Sequence, residues 1–217
     1  MVPEIKICGL TAVREAEYLN ECSVDYAGFV FYPPSKRYVT IEQAREIASA
    51  LDGGIRKVAV LVSPTESEID MIQNAGFINI LQIHKELNPQ VAGTAALPIW
   101  RALNIGSVSD TDHLTELTYS HIPDEHRHKI EAVLADAPDF GSGRTFDWKE
   151  GHRPEAFKDL KFILAGGLND ANVAEGIRIF GPDTVDVSSG VEGENGKDAE
   201  LIRDFVYAVR NMKEREA

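Results

Sequence analysis

Short apolar runs rich in β-branched residues alternate along this chain with stretches in which apolar positions recur every three or four residues. The first pattern suits strands buried on both faces, and the second suits helices that cover a sheet with one face. The predicted strands are Ile5 to Cys8, Tyr26 to Phe31, Lys57 to Val62, Ile78 to Ile83, Ile99 to Asn104, Ile130 to Asp136, Phe162 to Ala165 and Thr184 to Val187. The predicted helices are Ala12 to Glu21, Ile41 to Leu51, Glu66 to Ala75, Pro89 to Ala95, Asp110 to Tyr119, Glu155 to Asp159, Ala171 to Ile179 and Ala199 to Lys213. Two helix starts carry the Ser/Thr-x-x-Glu/Gln pattern that satisfies free amide groups reciprocally: Thr40 with Gln43, and Thr65 with Glu68.

Eight strand-then-helix units with no long linker or low-complexity segment predict an α/β fold, a single (β/α)8 TIM barrel of eight parallel strands spanning residues 1–217 as one domain. The competing architecture, an open doubly wound sheet, commonly carries a glycine-rich dinucleotide fingerprint after its first strand. Here Cys8, Gly9 and Leu10 follow instead, with no G-x-G-x-x-G.

Composition narrows the function classes. A formal net charge of −13 opposes binding to nucleic acid and to anionic lipid, because the attraction that drives both has the wrong sign. No apolar run approaches the length of a membrane span, and residues Met1 to Lys6 show no secretory signal, so a cytoplasmic protein is expected. Two cysteines, Cys8 and Cys22, are too few for a disulfide scaffold and lack metal-finger spacing.

In a barrel of this type the chemistry sits at the C-terminal ends of the strands. Cys8 stands there after the first strand, either as a thiolate base near cationic groups or as a small buried hydrophobe. Asp136 ends the sixth strand, either as a general acid in low-dielectric surroundings or as a cap for the turn into Ala137 and Pro138; Asp139 is its neighbouring rival. Arg37 in Tyr32 to Tyr38 offers a bidentate fork for a carboxylate or phosphate, or else a solvated loop cation. His84 and Asp186 complete the polar set, and Lys85 is read as solvent-facing. The segments Ala165 to Leu168, with Gly166 and Gly167, and Ser188, Ser189 and Gly190 follow strands seven and eight, where barrels often bind phosphate through backbone amides. His121, His126 and His128 cluster in a segment read as a solvated loop rather than a metal site.

Five segments carry a resemblance along essentially the whole chain: KICGL at Lys6 to Leu10, GFVFYPPSKRY at Gly28 to Tyr38, LQIH at Leu81 to His84, GSGRTFDW at Gly141 to Trp148, and AGGLN with VDVSSGVE at Ala165 to Asn169 and Val185 to Glu192. With them the chain resembles the phosphoribosylanthranilate isomerase family of tryptophan biosynthesis. The resemblance implies an Amadori rearrangement of a small phosphorylated substrate with Cys8 as general base and Asp136 as general acid, without metal or organic cofactor. It further implies that Arg37 holds the anthranilate carboxylate and Asp186 meets the anthranilate amine, with Gly167, Ser188 and Ser189 at the phosphate. A monomer or homodimer is expected. Three features depart from the family's pattern: Lys85 stands where glycine is usual, the loop from Asp136 to Gly141 is short, and only one glycine precedes Ser142. A ribotide isomerase of related fold would be expected to use an aspartate pair, whereas the first strand here offers Cys8. A non-catalytic phosphate-binding barrel would need no facing acid and base.

Overall fold

The computed structural model describes residues 2–104, 111–136 and 153–211. Eight strands, each hydrogen-bonded to the next in chain order and the last to the first, form a closed barrel. They are β1 (Glu4–Cys8), β2 (Tyr26–Val30), β3 (Arg56–Val62), β4 (Ile80–His84), β5 (Ile99–Asn104), β6 (Ile130–Asp136), β7 (Lys161–Leu164) and β8 (Thr184–Val187). All eight pairings are parallel. Around them lie α1 (Arg14–Cys22), α2 (Ile41–Ala50), α3 (Glu66–Asn74), α4 (Pro89–Thr94), α5 (Thr111–Tyr119), α6 (Asp124–Arg127), α7 (Val173–Phe180) and α8 (Ala199–Arg210).

The register sorts residues into an inner and an outer layer. Lys6 pairs with Tyr26 and Asp186, Cys8 with Gly28, Val60 with Gln82, and Val62 with His84. Because side chains alternate along a strand, this parity turns Lys6, Cys8, Gln82, His84 and Asp186 into the barrel, and turns Ile5, Ile7, Leu81 and Ile83 out toward the helices. Accordingly Tyr26, Val58, Ile80, Trp100, Leu134 and Ile163 pack as an inner core, while Cys8, Val30 and Val60 make a smaller cluster above it. The large core lies between sheet and helices, where each fully buried aliphatic or phenyl side chain contributes roughly 1.5–3 kcal/mol. At the N-terminal end, the Tyr26 hydroxyl donates to Glu4 at 2.9 Å, Lys161 pairs with Glu4, and Arg56 lies 4.2 Å over the Tyr26 ring. These side chains cover the inner core at the N-terminal end of the barrel.

Both anticipated capping boxes form: Thr40 with Gln43, and Thr65 with Glu68. Other boundaries move for local reasons. α1 begins at Arg14 rather than Ala12 because the buried Glu15 carboxylate accepts the amides of Thr11 and Ala12 at 2.6 and 3.1 Å and holds them in a turn. α7 begins at Val173 rather than Ala171 because the Asn169 side chain accepts the amides of Ala171 and Asn172 at 2.9 and 3.2 Å. β4 begins at Ile80 rather than Ile78, since the Asn79 side chain takes the Lys57 amide at 2.8 Å, and it continues through His84.

The predicted sixth helix, Glu155 to Asp159, is instead a three-residue 3-10 turn at Glu155–Phe157. Pro154 precedes it and Leu160 closes onto the Phe157 carbonyl at 3.2 Å, leaving no length for an α-helical turn before β7. Phe157 is nonetheless fully buried, stacked on Phe162 with ring centroids 6.0 Å apart. The histidine segment also differs from the loop reading, because α6 forms there and carries His126. Among the described residues no group of three or more metal-ligating side chains gathers, and no helix is long and apolar enough to cross a membrane. Asp110, Asp139, the Gly141–Trp148 segment and Lys213 lie outside the described residues.

Candidate active site at the C-terminal mouth of the barrel

A cavity of about 390 Å³ opens at the C-terminal ends of the strands, lined among others by Cys8, Arg37, Gln82, His84, Asp136, Gly166, Gly167, Asp186, Ser188 and Ser189. Nine of the ten anticipated site residues therefore meet in one place. Gly190 does not line the cavity; it stands just behind it.

Cys8 ends β1 with its side chain inward and is 8% exposed. The glycine opposite it makes room for the group: a methyl at Gly28 would lie 2.9 Å from Cys8 Sγ and 3.2 Å from Lys6 Nζ. Thiol and ammonium therefore meet over a bare patch of β2. Burial pushes the Cys8 thiol up, and the Lys6 ammonium pulls it partly back. Lys6, fully buried, donates to both oxygens of Asp186 at 2.9 Å. Burial alone would lower the lysine, but Asp186 and Cys8 outweigh that, and Lys6 stays charged.

On the opposite wall, Asp136 ends β6, half-buried at the cavity edge. His84 and Gln82 share the inward face of β4, with Gln82 Nε2 2.8 Å from His84 Nε2. Burial first, then the charges of Lys6 and Arg101, hold the imidazole down at about 3, so it is neutral at physiological pH. The Gln82 Oε1 atom is buried without a hydrogen-bond partner among the described residues.

The loops after β7 and β8 close the remaining side. Gly166 and Gly167 both have positive φ, 85° and 67°, a region that side-chain-bearing residues enter only with strain. The Ser188 hydroxyl donates to the Cys8 carbonyl at 2.8 Å, which ties this loop to the end of β1. Gly190 fixes the distance between the two loops, since a methyl there would stand 1.9 Å from the Leu168 carbonyl oxygen. Gly190→Ala is therefore expected to push the loops apart, lowering stability by about 1–3 kcal/mol and weakening inorganic phosphate as an inhibitor. Thermal unfolding and a phosphate inhibition constant, measured together, check it.

The cavity joins a thiol, a carboxyl group and two glycine- and serine-bearing loops at the mouth of one barrel, and residues 5–208 match the family model described as N-(5′-phosphoribosyl)anthranilate (PRA) isomerase. The chain belongs to this family. It is 36% identical to the N-(5′-phosphoribosyl)anthranilate isomerase of Granulibacter bethesdensis, covering 97% of this chain and 100% of the relative. The crystal structure of phosphoribosyl anthranilate isomerase from Thermotoga maritima superposes with a TM-score of 0.78 at 31% identity, over 96% of this chain and 98% of that one. A further structure of phosphoribosyl anthranilate isomerase, in complex with reduced 1-(o-carboxyphenylamino)-1-deoxyribulose 5-phosphate, gives a TM-score of 0.77 at 29% identity, over 96% and 98% of the two chains.

The backbone accounts for the family's usual glycine after the LQIH-like segment. Lys85 has φ of 57°, the left-handed conformation that glycine adopts without strain. Its side chain is exposed at the rim, as expected.

Four groups around the cavity escaped sequence reasoning: Lys6, Gln82, Glu192 and Lys197. Lys6 and Gln82 were detectable in principle, since each is a polar residue two positions before a candidate on the same strand and so shares its inward face. Glu192 and Lys197 sit on a small antiparallel hairpin, β9 (Glu192–Gly193) and β10 (Gly196–Lys197), which no periodicity announces.

Proposed function

We propose that this protein isomerises N-(5′-phosphoribosyl)anthranilate to 1-(2-carboxyphenylamino)-1-deoxyribulose 5-phosphate, the third step from chorismate in tryptophan biosynthesis. The observation that carries the reading is the single cavity that Cys8 and Asp136 line together with the two loops suited to phosphate.

Asp136 protonates the furanose ring oxygen, and the ring C–O bond breaks to leave a Schiff base at C1′. The Cys8 thiolate then removes the C2′ proton, and the electron pair moves into an enolamine. Tautomerisation to the aminoketose completes the rearrangement. C2′ is oxidised and C1′ reduced within one molecule, so the step needs no external oxidant or reductant. Lys6 favours the thiolate form of Cys8, and Arg37 binds the substrate carboxylate. Asp186 faces the amine, His84 contributes a neutral wall, and backbone amides around Gly166, Gly167, Ser188 and Ser189 bind the phosphate with Gly190 holding that loop in place.

We read residues 1–217 as one catalytic domain acting in the cytoplasm as a monomer or homodimer; the related Thermotoga maritima protein is described as dimeric. Freshly generated phosphoribosylanthranilate should be consumed by the wild-type protein with loss of anthranilate fluorescence. A folded protein that leaves intact substrate unchanged would refute the activity.

A further inference from the structure

Arg37 does not hang free over the cavity. Its Nε donates to Glu192 Oε1 at 2.5 Å and its Nη2 to Glu192 Oε2 at 3.0 Å, so one whole edge of the guanidinium is forked onto that carboxylate. The stem is confined as well: Gly9, with φ of 81°, lies so close that a methyl there would meet Arg37 Cδ at 2.5 Å. Only 12% of the Arg37 side chain is exposed, although it lines the cavity.

Glu192 does more than hold Arg37. It also accepts from Lys197 at 2.8 Å and from Lys36 at 3.1 Å. Lys197, 1% exposed, donates in turn to the Ser188 carbonyl at 3.0 Å and to the Ser188 hydroxyl at 3.2 Å. One carboxylate thus faces three cations, and the unbalanced positive charge lies beside the mouth.

We propose that Glu192 is the positioning residue for recognition of the substrate's carboxylate: it holds the Nε edge of Arg37 so that Nη1 is presented to the carboxylate. The inference rests on the reading of Arg37 as the carboxylate clamp. A guanidinium fixed along one edge has already given up its rotamer freedom, so binding the carboxylate orders less of the protein. Lys197 extends the same frame to the loop that carries Ser188, which sets the distance between the carboxylate and phosphate ends of the substrate.

The test compares two ligands by calorimetry: reduced 1-(o-carboxyphenylamino)-1-deoxyribulose 5-phosphate and its counterpart lacking the ring carboxylate. Glu192→Gln should weaken the first about tenfold to a hundredfold and the second less than about threefold, with KM raised and kcat little changed. An equal loss for both ligands, or no loss for either, overturns the proposal. Arg37→Gln keeps the premise separate: if it fails to discriminate between the ligands, the clamp reading falls, and the inference falls with it. Glu192→Gln strands the buried Lys197 cation, so the double variant Glu192→Gln/Lys197→Met gives a folded alternative and should show the same selectivity for the carboxylated ligand. A double variant that binds both ligands as wild type does also overturns the proposal.

Discussion

Replacing Cys8 with serine should lower kcat/KM by about 10²- to 10⁴-fold while leaving the thermal unfolding midpoint nearly unchanged. Serine occupies almost the same volume, so the 8%-exposed site is neither emptied nor overfilled. What changes is acidity: a serine hydroxyl gives up its proton far less readily than a thiol, and although burial pushes the Cys8 thiol up, the Lys6 ammonium pulls it partly back. Asp136→Asn should fall by a comparable factor, because an amide cannot deliver a proton to the ring oxygen. The two effects should not add in the double variant, since acid and base serve one rearrangement.

The sign of the pH dependence follows from the raised thiol. Below its pKa the thiolate fraction grows tenfold per pH unit, and burial has moved that pKa above its ordinary value. In Asp136→Asn, where the acid no longer titrates, residual turnover should rise about tenfold per unit between about pH 6 and pH 8. A flat profile in that variant would exclude Cys8 as the base.

Lys6→Met carries the second large effect, on stability as well as chemistry. Both Asp186 oxygens accept from Lys6 at 2.9 Å, and the two groups are 0% and 8% exposed. Removing the ammonium leaves a buried carboxylate uncompensated, and broken pairs of this kind cost about 3–5 kcal/mol. The urea midpoint should drop accordingly, and Lys6→Met/Asp186→Leu should recover most of it, because apolar residues of similar volume replace a buried pair without a large penalty. Turnover should not recover, since the thiol loses the cation that favours its ionised form and the substrate amine loses Asp186; the alkylation profile reports on the thiol alone. Alkylation of Cys8 by iodoacetamide, followed on its own peptide to exclude Cys22, should shift to higher pH in Lys6→Met. If the double variant regained neither the midpoint nor the wild-type alkylation profile, only the chemical half would stand; an unshifted profile in Lys6→Met would remove that half.

Strand and helix alternation was legible because it depends on local periodicity. β5, β6 and β8 occupy the predicted residues, and both threonine caps form as their spacing requires. Boundaries moved where a side chain competed with the backbone for its own amides, as Glu15 and Asn169 do. The short turn at Glu155–Phe157 escaped because its apolar residues mark burial, and burial alone does not separate a 3-10 turn from a helix.

The amino-acid sequence by itself determined the eightfold unit count, the parallel barrel, the polar residues at strand ends and the family, because strand ends and motifs are contiguous in the chain. Tertiary structure decided which of those residues face one another and with what partners. Lys6 and Asp186 are 180 positions apart and Arg37 and Glu192 are 155 apart, and no local pattern couples them. Barrel closure brings β8 against β1, and the low dielectric between them then makes an isolated charge costly enough that each buried ion must find its counterpart.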